Sequence, residues 1–419
     1  NSLYSNTTGT QNTAIGRAAL FANTSNYCTA VGDLALYANT TGASNTAVGR
    51  NCLGSNTTGT QLTAIGALAL DANTTASYNT AIGYQTLSNN TTGYDNTAVG
   101  NDALLSNSTG AENVAVGKQS LDANTTGIKN VAIGKYTLSG NTTGGSNTAG
   151  GDQALFTQTG ADHNIAVGRS VLYANTTGTK QVAIGNYALY DNTTGSQNTA
   201  LGYGTLANNT TASNNTAIGS QALNANTTGT RNTAVGSNAL VANTTASDNI
   251  AVGNAAGGAI TTGAENVTVG NYANDANETG NYNVAMGHGA LGANTASNNT
   301  AVGRKALLNN STGTQNVALG GEALEANTTG NYNVGLGKNA LLNNTTADNN
   351  TAVGTYSLDA NTTGANNTGL GFGALGGNTT ASANTAVGAY ALVANTTGTE
   401  NTAVGASVSY THLTLPTKA

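Results

Sequence analysis

The chain has 419 residues, of which 56 are glycine, one is proline and 7% are charged. Ordinary soluble domains carry about a quarter charged residues, disordered chains are charge-rich and poor in aliphatics, and collagen needs proline with a three-residue glycine period, so all three classes are excluded. The formal net charge of -6 leaves no basic footprint for nucleic acid or an anionic membrane, and no apolar run reaches the ~18 residues of a spanning helix.

A glycine preceded by a small and then an aliphatic residue recurs from Gly16 to Gly405 every 17 residues, with two steps of 16 that end at Gly32 and Gly303. The 24 units this defines read roughly N-T-A-V-G-x-x-A-L-x-x-N-T-T-G-x-x, numbered here as positions 1 to 17. Position 2 is always Thr, Val or Ile, and position 4 is aliphatic in 23 of 24 units, beginning with Ile15, Val31, Val48, Ile65, Ile82 and Val99 and broken only by Gly150. Positions 2 and 4 share one face of a strand, and their β-branched side chains suit one. The expectation is a short strand with that face in the core. The opposite face, positions 3 and 5, is nearly always Ala and Gly, as at Gly16, Gly32, Gly49 and Gly66. Such a smooth ribbon suggests close packing against the same ribbon of sister chains; the alternative is a tight bend within one chain.

Position 9 is leucine in 21 of 24 units, starting with Leu20, Leu36, Leu53, Leu70, Leu87 and Leu104. Position 12 is asparagine in 21 of the 23 units before the tail, starting with Asn23, Asn39, Asn56 and Asn73. One leucine and one valine cannot shield a single unit, so the expectation is stacked coils with continuous aliphatic and side-chain amide ladders. The N-T-T-G segment reads as a turn in which asparagine bonds its own backbone and glycine takes a positive φ.

Seventeen residues are too few for a two-helix repeat, and the recurring Gly, Asn and β-branched residues leave no window with good helix propensity. The fold class expected is all-β, a parallel β-solenoid of about 24 coils, forming one continuous array over residues 1–405. A one-residue deletion in a turn lets later coils recover register, which accounts for the two short units. Residues 253–292 are the least regular: Gly257 and Asn274 replace leucine and Ile260 replaces asparagine, a local loosening or a specialised patch, with decay in a redundant array the simpler account. Residues 406–419 depart from the repeat. VSYTHLTLPT (408–417) holds the only proline, Pro416, and reads as a translated sequencing adaptor, so its His412 is no ligand candidate. The chain opens without methionine, already inside a unit with Leu3 and Asn6 at positions 9 and 12, as a piece of a longer protein would.

The NTAVG or NTAIG core followed by AL and an NTTG turn resembles the head repeats of trimeric autotransporter adhesins. It is also similar to the Asn/Thr/Gly repeats that precede a self-cleaving chaperone domain in tail-fibre-like proteins of bacteria and phages. The autotransporter unit is shorter than 17 residues, so the tail-fibre-like group is the nearer likeness. It implies left-handed parallel β-rolls, three around a common axis, displayed on a cell surface or virion. Anchoring and trimerisation elements would lie outside this segment.

Sites for chemistry are sparse. His163 and His288 occupy different positions of distant units, where a metal site needs converging ligands. Cys28 and Cys52 fall at positions 1 and 8 and are read as unpaired thiols. Asp33, Asp102, Asp152, Glu322 and Glu325 form no recurring carboxylate pair for acid–base work. No phosphate-binding or calcium loop motif occurs. The expectation is a non-enzyme without metal or cofactor. Asn73, Asn124, Asn226 and Asn327 head glycosylation triplets, which turn geometry already explains. Thr74-Thr75 and Thr125-Thr126 raise a hydroxyl array for ice or glycans, though adjacent turn threonines do not share a face. Tyr84, Tyr94, Tyr136, Tyr173, Tyr187, Tyr190, Tyr203, Tyr356 and Tyr390 are either a surface that grips sugars or partners or tolerated exposure. The function expected is a structural and adhesive fibre segment, extracellular, at a cell surface or in a virion tail fibre. Its expected partners are copies of itself, as a trimer, and a host-surface or glycan ligand, with no nucleic acid and no membrane insertion. The alternatives are a self-assembling extracellular filament or an ice- or glycan-binding solenoid.

Overall fold

A computed structural model describes residues 1–408; the expectations placed on the tail beyond Val408 lie outside them. The chain is an all-β parallel solenoid, with no helix among the described residues. It divides into two compact units, Asn1–Ser213 and Asn214–Ala419. The first holds twelve three-residue strands, from β1 (Thr13–Ile15) and β2 (Thr29–Val31) to β12 (Thr199–Leu201). The second holds twelve more, from β13 (Thr216–Ile218) to β24 (Thr402–Val404). Pairing is parallel and in register with the 17-residue period: Ile15 lies beside Val31, Val31 beside Val48, Val48 beside Ile65, Ile65 beside Ile82, and Ile82 beside Val99. Both short units lose their residue in the turn, where Asn23 and Asn294 reach the carbonyl two residues on rather than three. Register then resumes, with Thr29 beside Thr46 and Thr300 beside Val317.

The strand faces are the reverse of the expectation. The middle residue is buried in every strand but β1, and no flanking residue is. The position-4 residues Ile15, Val31, Val48, Ile65, Ile82 and Val99 therefore stack as a ladder on the outside. Position-3 alanines such as Ala30, Ala47 and Ala64 face the interior with no exposed surface. Available depth is the reason. A β-carbon placed on Gly335, at position 3, would stand 3.1 Å from the Ala340 carbonyl oxygen and 3.4 Å from Leu324. One methyl group fills that space, so branched side chains must take the other face.

The rest of the core follows expectation. Leu20, Leu36, Leu53, Leu70, Leu87 and Leu104 are fully buried, beside small residues at position 8 such as Ala35, Cys52 and Ala69. The position-12 asparagines Asn23, Asn39, Asn56 and Asn73 are fully buried too and form the amide ladder. Asn39 Nδ2 donates to Asn23 Oδ1 (2.7 Å), Asn56 to Asn39 (2.7 Å), and Asn73 to Asn56 (2.9 Å). A second ladder runs through the position-1 asparagines, where the backbone N–H of Asn113 reaches Asn96 Oδ1 at 3.1 Å and that of Asn130 reaches Asn113 Oδ1 at 3.0 Å. The two ladders converge within most coils. Asn45 and Asn56 both donate to the Gly59 carbonyl, at 2.8 and 3.0 Å.

Each coil bends through left-handed residues that are not glycine. In one coil these are Asn51 (φ 53), Leu53 (φ 52) and Gln61 (φ 55). Such a conformation costs on the order of 1–3 kcal/mol at a branched or long side chain. It turns successive N–H groups in opposite directions. Asn51 donates to Asp33 in the preceding coil (2.8 Å), and Leu53 to Ala69 in the following one (3.0 Å). The position-5 glycines serve the chain itself rather than a sister ribbon. Gly49 has φ 144, and a β-carbon there would collide with the Gly66 carbonyl above it. The turn glycine at position 15 has no positive φ. It is small because a β-carbon on Gly42 would stand 2.6 Å from Asn39 Oδ1.

Residues 253–292 carry linked replacements. Gly257 vacates the leucine position, and Ile260 turns into the space: its Cδ1 lies 2.9 Å from where a Gly257 β-carbon would be. Volume lost at one position is thus partly restored at another, which independent decay does not explain.

Asn107→Ala would strand Asn90 Oδ1, which Asn107 Nδ2 binds at 2.8 Å, would leave the Gly110 carbonyl with Asn96 as its side-chain donor, and would take the acceptor from Asn124. We expect the local opening free energy, read by native-state hydrogen exchange around residues 90–124, to fall by about 2–4 kcal/mol. The exposed Thr109→Ala should change it by under about 0.5 kcal/mol.

Candidate functional site

The outward strand face of each unit is uniform in chemistry. Positions 2 and 4 of all 24 strands hold only Thr, Val, Ile, Leu, Met and one Gly, with no charge and no amide. In the first unit Ile15 is 61% exposed, Ile133 52% and Val167 43%; in the second, Leu319 is 50% and Leu370 45%. β1 to β6 (Thr97–Val99) present Thr and Ile or Val without interruption. These threonines do share one outward face, unlike the paired turn threonines considered from the sequence.

In the turns, position-13 hydroxyls are spent inside the stack. Thr125 Oγ donates to the Thr142 carbonyl at 3.0 Å and Thr57 Oγ to that of Thr74 at 2.9 Å, and exposed members such as Thr24 and Thr40 make the same bond, whereas position-14 threonines such as Thr75 and Thr126 are exposed. The glycosylation triplets are closed by the fold. Asn73, Asn124, Asn226 and Asn327 are fully buried, and Asn124 Nδ2, the atom a glycan would occupy, already donates to Asn107 and Gly127.

Aromatic side chains gather at position 10. Tyr4, Phe21 and Tyr37 form one stack, with ring centroids 5.0 and 5.4 Å apart; Phe156, Tyr173 and Tyr190 form another at 5.2 Å intervals. Around the second stack, Tyr136 meets Phe156 edge-on, and Tyr187 meets both Tyr190 and Tyr203 edge-on. Lys135 lies 4.7 Å over the Tyr136 ring and Arg169 5.8 Å over Tyr187. Parallel stacking covers ring faces, so Tyr173 and Tyr190 bind coil to coil and offer edges and hydroxyls outward. Tyr356, Phe372 and Tyr390 form an edge-on series in the second unit. Tyr84 and Tyr94 are about half exposed.

No cluster of three or more His, Cys, Asp or Glu side chains is placed to hold a metal among the described residues. His163 is exposed, and His288 meets Tyr272 edge-on. Cys28 and Cys52 are buried and unpaired. Cys28 takes an asparagine position and donates Sγ–H to the Gly42 carbonyl (3.3 Å), the bond an asparagine amide would make. Burial pushes the Cys52 thiol up to about 12, which removes it as a nucleophile. Asp33 and Asp152 stand at position 6, Asp102 and Glu322 at position 7 and Glu325 at position 10. Their nearest polar partners include cations: Arg17 with Asp33 (2.8 Å), Arg304 with Glu322, and Lys305 with Glu325 (3.5 Å). These exposed pairs are surface ladders rather than a reaction centre.

Comparison with models of known families found none that matches the chain, and comparison with curated proteins found no match.

A pH effect comes from position 10. Burial holds the carboxyls of Asp71, Asp122, Asp275 and Asp359 above their ordinary value, even though Ser88 and Ser139 hydroxyls oppose the shift at the first two. A raised folded value means that folding favours the protonated acid. The stability this contributes is full below the ordinary value near 3.8 and is lost as pH rises through the folded values. Asp33 and Asp248 are held low by hydrogen bonds from Arg17 and Arg231, and act oppositely only in stronger acid. The thermal midpoint should therefore rise as pH falls from 7 toward 4, and Asp71→Asn with Asp122→Asn should raise it at pH 7 and flatten the profile, as scanning calorimetry would measure.

Proposed function

We propose that the chain is a structural and adhesive segment of an extracellular, cell-surface or virion fibre, in which copies pack side by side through the outward strand face. The observation that carries this reading is the uncharged aliphatic ribbon, repeated in each unit without a single polar interruption larger than threonine. Water offers nothing to maintain such a face, whereas burial of contiguous apolar surface is the common reason for one. The resemblance to trimeric fibre repeats supports three copies around an axis, and the part first assigned to the Ala and Gly face passes to positions 2 and 4.

Charge flanking the ribbon supports parallel copies. Positions 6 and 7, after the strand, carry Arg17, Arg50, Lys118, Lys135 and Arg169 against Asp33, Asp102 and Asp152 in the first unit. Positions 16 and 17, before it, carry Asp95, Glu112 and Asp162 against Lys129 and Lys180. In the second unit the trailing flank has Arg304, Lys305 and Lys338 against Glu322. Its leading flank has Asp248, Glu265, Asp348 and Glu400 against Arg231. A rotation axis along the stacking direction sets the basic flank of one copy beside the acidic flank of the next; antiparallel copies would set like flanks together.

The unbroken Thr and Ile or Val rows of β1 to β6 favour one other reading, a flat ice-binding face. Solution mass separates the two. Sedimentation should give three chains, and Ile65→Glu with Ile82→Glu should give single chains with unchanged circular dichroism. A wild-type monomer would overturn side-by-side packing, and thermal hysteresis by that monomer would establish the ice-binding reading.

A further inference from the structure

Six buried side-chain polar atoms lack a hydrogen-bond partner among the described residues, and four of them fall within three successive coils: Asn243 Oδ1, Thr268 Oγ, and both Asn274 Oδ1 and Nδ2. Their origins are distinct. Asn243 loses its donor because the next ladder position is Ile260, which has no amide. Thr268 is the one hydroxyl at position 3 and is 1% exposed. Asn274 stands where leucine belongs and has no exposed surface. At Gly335 and Gly369 a position-3 β-carbon would face the leucine of the preceding coil, Leu324 and Leu358, at 3.4 Å. The same step places Thr268 opposite Gly257, where no leucine stands and where Ile260 Cδ1 and Leu240 Cδ2 come within 2.9 and 3.1 Å of a β-carbon's place.

We propose that this coil binds internal water at the unpartnered Asn274 amide and Thr268 hydroxyl, and that the second unit opens there first. Two neutral groups with three unpartnered atoms, offering both donors and acceptors, match water, which takes two to four such partners; neither supplies the charge an ion would need. Strand β16 (Val267–Val269), which carries Thr268, pairs in normal register with β15 (Ile250–Val252) and β17 (Val284–Met286), so the defect lies in the side chains and not in the ladder. Opening at this coil would expose the amides of β16 and β17 while later strands stay closed.

A high-resolution crystal structure of the whole chain should show an uncharged oxygen within about 3.2 Å of the Asn274 amide. Hydrogen exchange should be roughly tenfold faster at β16 than at β20 (Val334–Leu336). Asn274→Leu with Thr268→Ala should remove the oxygen and slow β16 to the rate of β20. A dry site, or an ion in the density, overturns the ligand; equal exchange at β16 and β20, or no slowing in the double variant, overturns the early opening. Neither readout depends on how many chains associate.

Discussion

Inside a 17-residue coil, the distance from the strand to the opposite wall governs everything else. A single methyl group at position 3 already meets the facing carbonyl and the leucine of the coil before it. The leucine therefore supplies nearly all the aliphatic bulk, and alanine is what the strand can contribute. Valine and isoleucine, excluded by depth, are displaced outward, and their regular spacing there follows from the same repeat that stacks the core. The surface that supports association is thus a consequence of how thin the coil is.

Thinness also explains why amides occupy two of the recurrent interior positions, 1 and 12. A hydrophobic core of one leucine per coil cannot close the far end of the turn, where the chain reverses and carbonyls point inward. Two asparagines converge on one such carbonyl in most coils, as Asn45 and Asn56 do on Gly59, and pass their own oxygen to the next coil. Buried polar networks are stabilising only when every member is satisfied. The permitted substitutions respect that condition. Cys28 keeps a donor to the Gly42 carbonyl, and Gln158 keeps both its donor to Ala161 and an acceptor for Asn164. Leu62 and Ile260 do not: the Ala76 carbonyl has the Asn73 amide where most coils have two, and the orphaned oxygen of Asn243 marks the consequence of Ile260 one coil away.

The period alone sufficed to stack like positions over like. Leucine and asparagine ladders, recovery after the short units, and the unpaired state of Cys28 and Cys52 could all be read from it. Which strand face points inward could not, because alternation defines two faces and says nothing of the depth behind either. β-branched residues opposite alanine suggest a core ladder by habit, and only the clearance inside the folded coil reverses that. Left-handed leucines such as Leu20 and Leu36 were equally hidden. Intrinsic preference opposes them at about the level of 1–3 kcal/mol each, and the opposing bonds to coils above and below exist only once the stack has formed. The aromatic ladders were missed for a simpler reason: Tyr173 and Tyr190 differ from their neighbours in type, and only their shared position 10 reveals that they touch.

The two kinds of surface on each coil fit different tasks. The strand face is monotonous, and a monotonous face suits an interface that must repeat at every level, since any odd residue would break packing for its neighbours as well. Positions 6, 7, 10, 16 and 17 vary freely, as Lys135, Asp152, Arg169 and Tyr203 do along the trailing flank. Variation there costs the core nothing, because these side chains are exposed or half-buried and their backbone bonds are made whatever the side chain. In the proposed association the constant face would be buried between copies and the charged flanks would border that contact. Differences in charge between coils would then act on how neighbouring copies align while the architecture of each coil stays the same.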